Sequence, residues 1–279
     1  MPTAMPSLER LCLVACFPSG DSNEEEQENE ITPDQWKNFF RQLRLPLKSL
    51  SLGCVRMTDE QVKAFMPVVG PGLERLELTR CHTWDHELEE YFAIGDASAI
   101  AVANNCTKLS SFAFADSNIT TSALRCLLTA NTGIRKLDLS RSDMLGPDTV
   151  EVIAEYLPRL KELRNYWQIR GDWLSSEALK SLCDSNARSN GGDMTLFLGL
   201  CYDEHKISEG IMYAVRKGLK TIEINNGSRP DPNRFLQNDL MKSGAAVDIR
   251  QPTYPFYIDG SQMNWSIPPM NSYDDLSET

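Results

Sequence analysis

Residues 133–163 read GIRKLDLSRSDMLGPDTVEVIAEYLPRLKEL, and one full period of the chain lies within them. Ile134, Leu137 and Leu139 take positions 1, 4 and 6 of a pattern L-x-x-L-x-L-x-x-N/C, with Ser142 at position 9. The pattern restarts at Leu160 and Leu163, 26 residues on. Alternating apolar residues in so short a run predict a strand with one buried face. Behind it, Val150, Ile153, Ala154 and Leu157 recur at i, i+3, i+4 and i+7, the apolar stripe of a helix packed on that strand. A strand, a turn and a helix of this size cannot bury their own apolar faces, so the unit needs copies of itself on either side.

Copies are present in both directions. Toward the N-terminus the anchors are Leu8, Leu11, Leu13 and Cys16; Leu47, Leu50 and Leu52; Leu73, Leu76, Leu78 and Cys81; and Leu109, Phe112 and Phe114. Toward the C-terminus they are Leu196, Leu198 and Cys201, then Leu219, Ile222 and Ile224, with a weak last copy at Val247 and Ile249. The repeat at Leu160 is imperfect, because Asn165 stands where its third leucine belongs. Two spacings exceed the period by ten residues or more: 39 residues separate Leu8 from Leu47, and 36 separate Leu73 from Leu109. The first excess predicts an acidic insertion over residues 20–31, and the second an insertion over residues 82–96 with a helix-like run HELEEYF. Thr58 and Gln61 fit a capping box ahead of the helix face Val62, Phe65, Met66 and Val69. Residues 1–250 therefore read as one repeat array. From Gln251 the period is lost, and Pro252, Pro255, Pro268 and Pro269 oppose regular structure, so residues 251–279 read as a tail.

Charge is distributed unevenly. The net charge is −11, but Asp21 to Glu30 holds six acids and no base, and the tail holds four acids and no base. Outside these ten, 29 acids face 28 bases, so the body is close to neutral. That balance lacks the basic footprint of a general nucleic-acid binder. No run of 18 apolar residues suggests a transmembrane helix. The eight cysteines contain no CxxC pair, and Cys16, Cys81 and Cys201 sit at position 9, where a small buried side chain is wanted. They are expected to be reduced core thiols of an intracellular protein, cytoplasmic or in an organelle assembly.

With anchors every 25 to 26 residues and cysteine at position 9, as in VGPGLERLELTRC (69–81) and NNCTKLSSFAFADSNIT (104–120), the chain resembles the cysteine-containing leucine-rich repeats. That family includes the substrate-recognising halves of F-box ubiquitin-ligase receptors and repeat proteins built into larger assemblies, such as a subunit associated with mitochondrial ATP synthase. The resemblance covers residues 8 to 250. It implies an α/β solenoid, curved, with parallel strands on the concave face and helices outside. The seven residues before Leu8 are too few for an F-box, and ITPDQWKNFFRQL does not look like one.

Chemistry-bearing motifs are weak. Cys81, His82, Asp85 and His86 are the best candidates for a metal or nucleophile site, but Cys81 at position 9 should point into the core, and no Glu completes HExxH. No GxxxxGK[ST], GxGxxG or GxSxG occurs, so no catalytic residue, metal ligand or cofactor site is assigned. The surface remains. Position 3 of the strands reads Arg10, Ser49, Arg75, Ser111, Lys136, Glu162, Thr195 and Thr221. Position 5 reads Cys12, Ser51, Glu77, Ala113, Asp138, Arg164, Phe197, Glu223 and Asp248, and both rows should face outward. Aromatic residues and arginine dominate binding hot spots. The protein-binding candidates are accordingly Arg164, Tyr166, Trp167 and Phe197 on the array, and Tyr254, Phe256, Tyr257 and Trp265 on the tail. Trp167 has a second reading, as a core replacement for the missing leucine. The expected function is a noncatalytic interaction module, a structural or scaffold subunit bound to protein partners. The alternative is the substrate-recognition subunit of a ubiquitin ligase.

Overall fold

The computed structural model describes residues 8–14, 31–43, 47–85, 90–142, 144–165, 175–191, 193–199, 204–217, 219, 221–225 and 248–250. In chain order the elements are β1 (Arg10–Val14), α1 (Pro33–Leu43), β2 (Ser49–Gly53), α2 (Asp59–Val69), β3 (Arg75–Thr79), β4 (His82–Asp85), β5 (Glu90–Ala93), α3 (Asp96–Asn105) and β6 (Ser111–Ala113). They continue with α4 (Thr121–Ala130), β7 (Lys136–Asp138), α5 (Thr149–Tyr156), β8 (Glu162–Asn165), α6 (Ser176–Asn190), β9 (Thr195–Gly199), α7 (Glu204–Arg216), β10 (Thr221–Asn225) and β11 (Asp248–Arg250). Nine of the strands form one open sheet in the order β1-β2-β3-β6-β7-β8-β9-β10-β11, parallel throughout. Each helix packs on the next, from α1 to α7.

The register follows the sequence pattern. Leu11, Leu50, Leu76, Phe112, Leu137, Leu163, Leu196, Ile222 and Ile249 pair in one row across the sheet, so position 4 of each repeat meets position 4 of the next. Leu50, Leu52, Leu76, Leu78, Leu137, Leu139 and Leu163 are buried together with Val62, Phe65, Leu124 and Ile153 of the helices. The apolar face of the sheet and the helix stripes thus form one continuous core. The capping box at α2 is present: Thr58 N–H donates to Gln61 Oε1 at 2.8 Å, and Gln61 N–H donates to Thr58 Oγ1 at 3.4 Å. A second one, Thr32 with Gln35, opens α1.

Polar ladders join the repeats at both ends of the strand–helix unit. At position 9, Cys81 Sγ lies 3.4 Å from Leu52 O and Ser142 Oγ donates to Phe114 O at 3.2 Å, in each case the position-6 carbonyl of the preceding repeat. At the helix starts, the first residue of one helix reaches the start of the next. Asp59 Oδ1 accepts from the Gly95 and Ser98 N–H groups and from Ser98 Oγ. Asp96 accepts from Thr120 N–H at 2.7 Å and Oγ1 at 2.9 Å. Thr121 Oγ1 is 2.8 Å from Thr149 Oγ1, and Ser176 Oγ accepts from Gly210 N–H at 3.0 Å. The Gly95, Ser98 and Thr120 contacts satisfy N–H groups at a helix start that have no intrahelical partner. Thr121 and Thr149 join two hydroxyls, and Gly210 lies inside α7 (Glu204–Arg216), where Ser176 packs against its backbone. At Gly210 the approach is so close that a Cβ would stand 2.7 Å from Ser176 Cα.

Among the described residues, four without glycine's freedom adopt positive φ: Cys54, Arg80, Asp116 and Arg141, at 53°, 54°, 61° and 57°. All four are at position 8. Their shared conformation aims the backbone N–H along the sheet: Cys54 N–H donates to Thr79 O, Arg80 N–H to Ala115 O and Asp116 N–H to Ser140 O. A row of inter-repeat hydrogen bonds holds the left-handed backbone in place.

Three expectations need correction. The run HELEEYF is not helical where it is described. Glu90 to Ala93 form β5, antiparallel to β4, with Trp84 paired opposite Tyr91. The excursion closes where Ile94 N–H donates to Cys81 O at 3.2 Å, and Asp96 already opens α3. A hairpin forms because aromatic residues favour strands and the two ends are pinned together at the exit of β3. Asp248 is also misplaced by the sequence: it pairs with Thr221 and so holds position 3, while Arg250, opposite Glu223, holds position 5. The weak spacing of the last copy left its register two residues adrift. Finally, the position-5 side chains from Cys12 to Phe197 are half-buried and not fully exposed, and Glu162 in the position-3 row is buried. The acidic segment from residue 20 to 30, Cys16, Cys201, Val247 and the tail 251–279 lie outside the described residues.

Candidate functional site

Strands β7, β8 and β9 bring the charged part of positions 3 and 5 together at the middle of the sheet. Lys136 pairs with Glu162 and Asp138 with Arg164 across β7 and β8, and Arg164 pairs with Phe197 across β8 and β9. Residues two apart on a strand share a face, so Glu162 and Arg164 are neighbours within β8 and face the same way as Lys136 and Phe197. These side chains alternate with Leu137 and Leu163, which point to the core on the other face.

Glu162 joins two cations. Its Oε1 accepts from Arg164 Nε at 2.6 Å, and its Oε2 lies 3.3 Å from Lys136 Nζ. Its side chain retains 11% of its exposure, so the carboxylate sits in a largely dry position against both partners. Arg164 is held from the other side as well: its guanidinium carbon lies 4.5 Å from the Phe197 ring centroid, inside the range of a cation–π contact. A planar guanidinium pinned between a carboxylate and a ring has little rotamer freedom left to lose on binding.

Asp138 stands beside this group. Its Oδ1 accepts from Ser140 N–H at 3.0 Å and from Ser140 Oγ at 2.6 Å. Part of the residue's surface is open, yet the protein packed around the carboxyl pushes its pKa above the ordinary aspartate range. The Ser140 hydrogen bonds and the positive charge of Arg164 oppose that rise, and the negative charge of Glu162 adds to it. Ser140 itself is buried. One further pair, Arg141 with Asp116 at 3.6 Å, links the position-8 row at the strand ends.

Of the residues singled out from sequence, Arg164 and Phe197 are in contact with each other. Tyr166, Trp167, Tyr254, Phe256, Tyr257 and Trp265 lie outside the described residues. The cluster also includes Lys136, Asp138 and Glu162, which were not among the binding candidates. Their signal was the opposite signs at positions 3 and 5 of two successive repeats, which parallel register places within ion-pair distance. Cys81, the buried member of the weak Cys-His constellation, lies with its thiol against Leu52 O, and desolvation pushes its pKa up to about 12. Among the described residues no group of three or more His, Cys, Asp or Glu side chains converges to hold a metal ion. None of their helices is long and apolar enough to cross a membrane.

Comparison of the sequence with protein-family models gives no match, and no curated protein matches it.

Proposed function

We propose that the chain is a leucine-rich-repeat solenoid, with its strands on a concave inner face and its helices outside, and that it acts as a noncatalytic protein-binding subunit in a larger intracellular assembly. The nine parallel strands in pattern register and the position-9 contacts to position-6 carbonyls support the repeat reading. Arg164 carries the functional one. It is a residue type that dominates interfaces, fixed between Glu162 and Phe197 at the centre of a sheet face whose other side is the core. Preorganised in this way, it offers a planar donor to a carboxylate or backbone carbonyl of a docked protein.

The test is affinity purification of the tagged full chain from its native source, with the wild type and Arg164→Lys and Phe197→Ala compared. The expected result is a partner recovered in fixed stoichiometry with the wild type and depleted with both variants, while circular dichroism shows the fold unchanged. Ubiquitin-ligase subunits among the stoichiometric partners would identify a substrate receptor instead of a scaffold. Recovery of the chain alone, or of one partner equally with all three proteins, overturns the assignment of this face.

A further inference from the structure

The strand entries are unbalanced in charge at the middle of the sheet. From position 1 to position 6, the repeats of β1, β2 and β3 hold three bases and three acids. The same positions in the repeats of β6, β7 and β8 hold four bases and two acids. Lys108 and Arg159, each just before position 1, raise the bases there to six.

Position 2 shows how the imbalance arises. Glu9, Lys48 and Glu74 alternate in sign, and Lys48 Nζ lies 2.8 Å from Glu9 Oε1, so position-2 side chains of adjacent repeats reach one another. Farther along the row stand Ser110, Arg135 and Lys161. Backbone hydrogen bonds join them, from Arg135 N–H to Ser110 O at 2.7 Å and from Lys161 N–H to Arg135 O at 2.8 Å. Where the first repeats set a base beside an acid, these set Arg135 beside Lys161, and like charges on neighbouring strands repel.

Lys108, Arg159 and Lys161 are exposed, and Arg135 is half-buried. Among the described residues, no carboxylate lies within ion-pair distance of these four. Arg135 instead donates to Arg159 O at 2.9 Å. The two acids on β7 and β8 are committed, Glu162 to Lys136 and Arg164 and Asp138 to Ser140. Helices α3, α4 and α5 end just before these strands, and each C-terminus offsets roughly half a charge, which leaves the edge positive.

Charge and size decide the occupant. Neighbouring strands lie about 4.8 Å apart, so the row from Ser110 to Lys161 is about 10 Å long, and positions 2 to 5 extend about 10 Å along the strands. An extended chain crosses that area in a few residues. Acids return on both sides, at the exposed Glu74 and Asp193, and the whole chain stands at −11. A nucleic acid, with a phosphate about every 3.4 Å along each strand, would run past the patch into that negative surface. A short acidic stretch of protein would not.

From these observations we infer that the entry edge of β6, β7 and β8 binds an extended acidic segment of a partner protein, held by Lys108, Arg135, Arg159 and Lys161 and running on to Arg164. This assignment rests on the reading of the Arg164 face as protein-binding and supplies the chemistry of the partner.

The probe is a fluorescein-labelled peptide of eight glutamates, titrated into the full chain and read by anisotropy at low and at physiological salt. The expected result is saturable binding that weakens as salt is raised. Lys161→Glu, at an exposed position, should weaken binding by roughly tenfold or more, and Lys108→Glu by roughly threefold or more. Lys48→Glu makes the same change in net charge about 14 Å away, three strand spacings from β7, and should leave binding unchanged. Circular dichroism should show all three variants folded, and a peptide of eight glutamines should not bind. Four outcomes overturn the proposal: no saturable binding, binding by Lys161→Glu equal to wild type, an equal loss with Lys48→Glu, or tighter binding of a single-stranded oligonucleotide of equal charge. The last would make the edge a nucleic-acid site. The Arg164 assignment fails separately. A native partner lost with Arg164→Lys but kept with Lys161→Glu overturns the edge alone. Peptide binding as expected, with the partner kept by Arg164→Lys, overturns Arg164 alone.

Discussion

Asp138 and Arg164 sit directly opposite each other across β7 and β8, yet the carboxyl of Asp138 titrates above its ordinary range. Burial outweighs both the Arg164 charge and the two hydrogen bonds from Ser140. The guanidinium is committed elsewhere, with its Nε on Glu162 at 2.6 Å and its plane near Phe197. Glu162 is thus served at the expense of Asp138, and the two carboxylates compete for one cation.

This competition gives Asp138 a stability signature of unusual sign. Its pKa is raised on folding, so the folded state binds a proton more tightly than the unfolded chain does, and ionisation disfavours the fold. The penalty is fully present above the raised value. It is relieved as pH falls through the raised value toward the ordinary 3.8. Asp138→Asn keeps an oxygen for Ser140 and removes the charge. The variant should be the more stable at pH 7, and its advantage should shrink as both proteins are acidified toward pH ~4. Urea midpoints across that range provide the measurement, and a variant less stable than wild type at neutral pH would contradict the account.

The register of the sheet has its own test. Leu137→Ala and Leu139→Ala each remove a fully packed side chain and should cost about 2–5 kcal/mol. Arg141→Ala, at an exposed position, should cost far less. Ser140→Ala is expected between the two, because it leaves Asp138 without one of its hydrogen bonds. Equal losses at Leu139 and Arg141 would mean that the faces of β7 are assigned the wrong way round.

Sequence made the inner sheet legible because its signal is redundant. All nine position-4 residues are Leu, Phe or Ile, and five of the eight spacings between them are 25 to 27 residues; the last, Ile249, lost its register only where its own repeat was weak. The hairpin was misread because HELEEYF carries acidic residues that suit a helix, whereas its structure depends on the pinning of Cys81 to Ile94, a contact with no local signature. Positive φ at Cys54, Arg80, Asp116 and Arg141 was equally hidden, since glycine and asparagine, the usual markers, are absent from all four positions. The helix-start ladder from Asp59 to Ser98 and from Asp96 to Thr120 joins residues 24 to 39 apart, so it appears only once the repeats are stacked. At the candidate site the individual charges were visible in the rows. Their pairing with Arg164, and the burial of Glu162, follow from packing.

The thiols should divide by depth. Desolvation pushes Cys81, Cys106 and Cys183 from 9.0 up to about 12, which lowers their thiolate fraction roughly a thousandfold near neutral pH. Cys126 is exposed, and Cys12 and Cys54 are half-buried. With iodoacetamide under native conditions, peptide mapping should find Cys126 modified first and the three buried thiols last, all of them reacting after unfolding without a reductant. Early modification of Cys106 would contradict its placement between α3 and the following strand.

Position 8 offers the sharpest test of backbone strain, because Arg141 combines a φ of 57° with an exposed side chain. A left-handed conformation costs a non-glycine residue about 1–2 kcal/mol, and here Asp116 N–H to Ser140 O at 2.8 Å and its counterparts along the row hold it in place. Arg141→Gly removes the steric cost but loses the Asp116 ion pair and loosens the unfolded chain, so stability should stay within about 1 kcal/mol of wild type. Arg141→Val loses the same ion pair and places a β-branched side chain at a φ it strongly disfavours. It should be about 1–3 kcal/mol less stable than the glycine variant. Arg141→Ala separates the two terms, since it lacks the ion pair but not the Cβ. The predicted order in chemical denaturation is glycine, alanine, valine, from most to least stable. If valine equals glycine, the left-handed turn is not the conformation that residue 141 holds in solution.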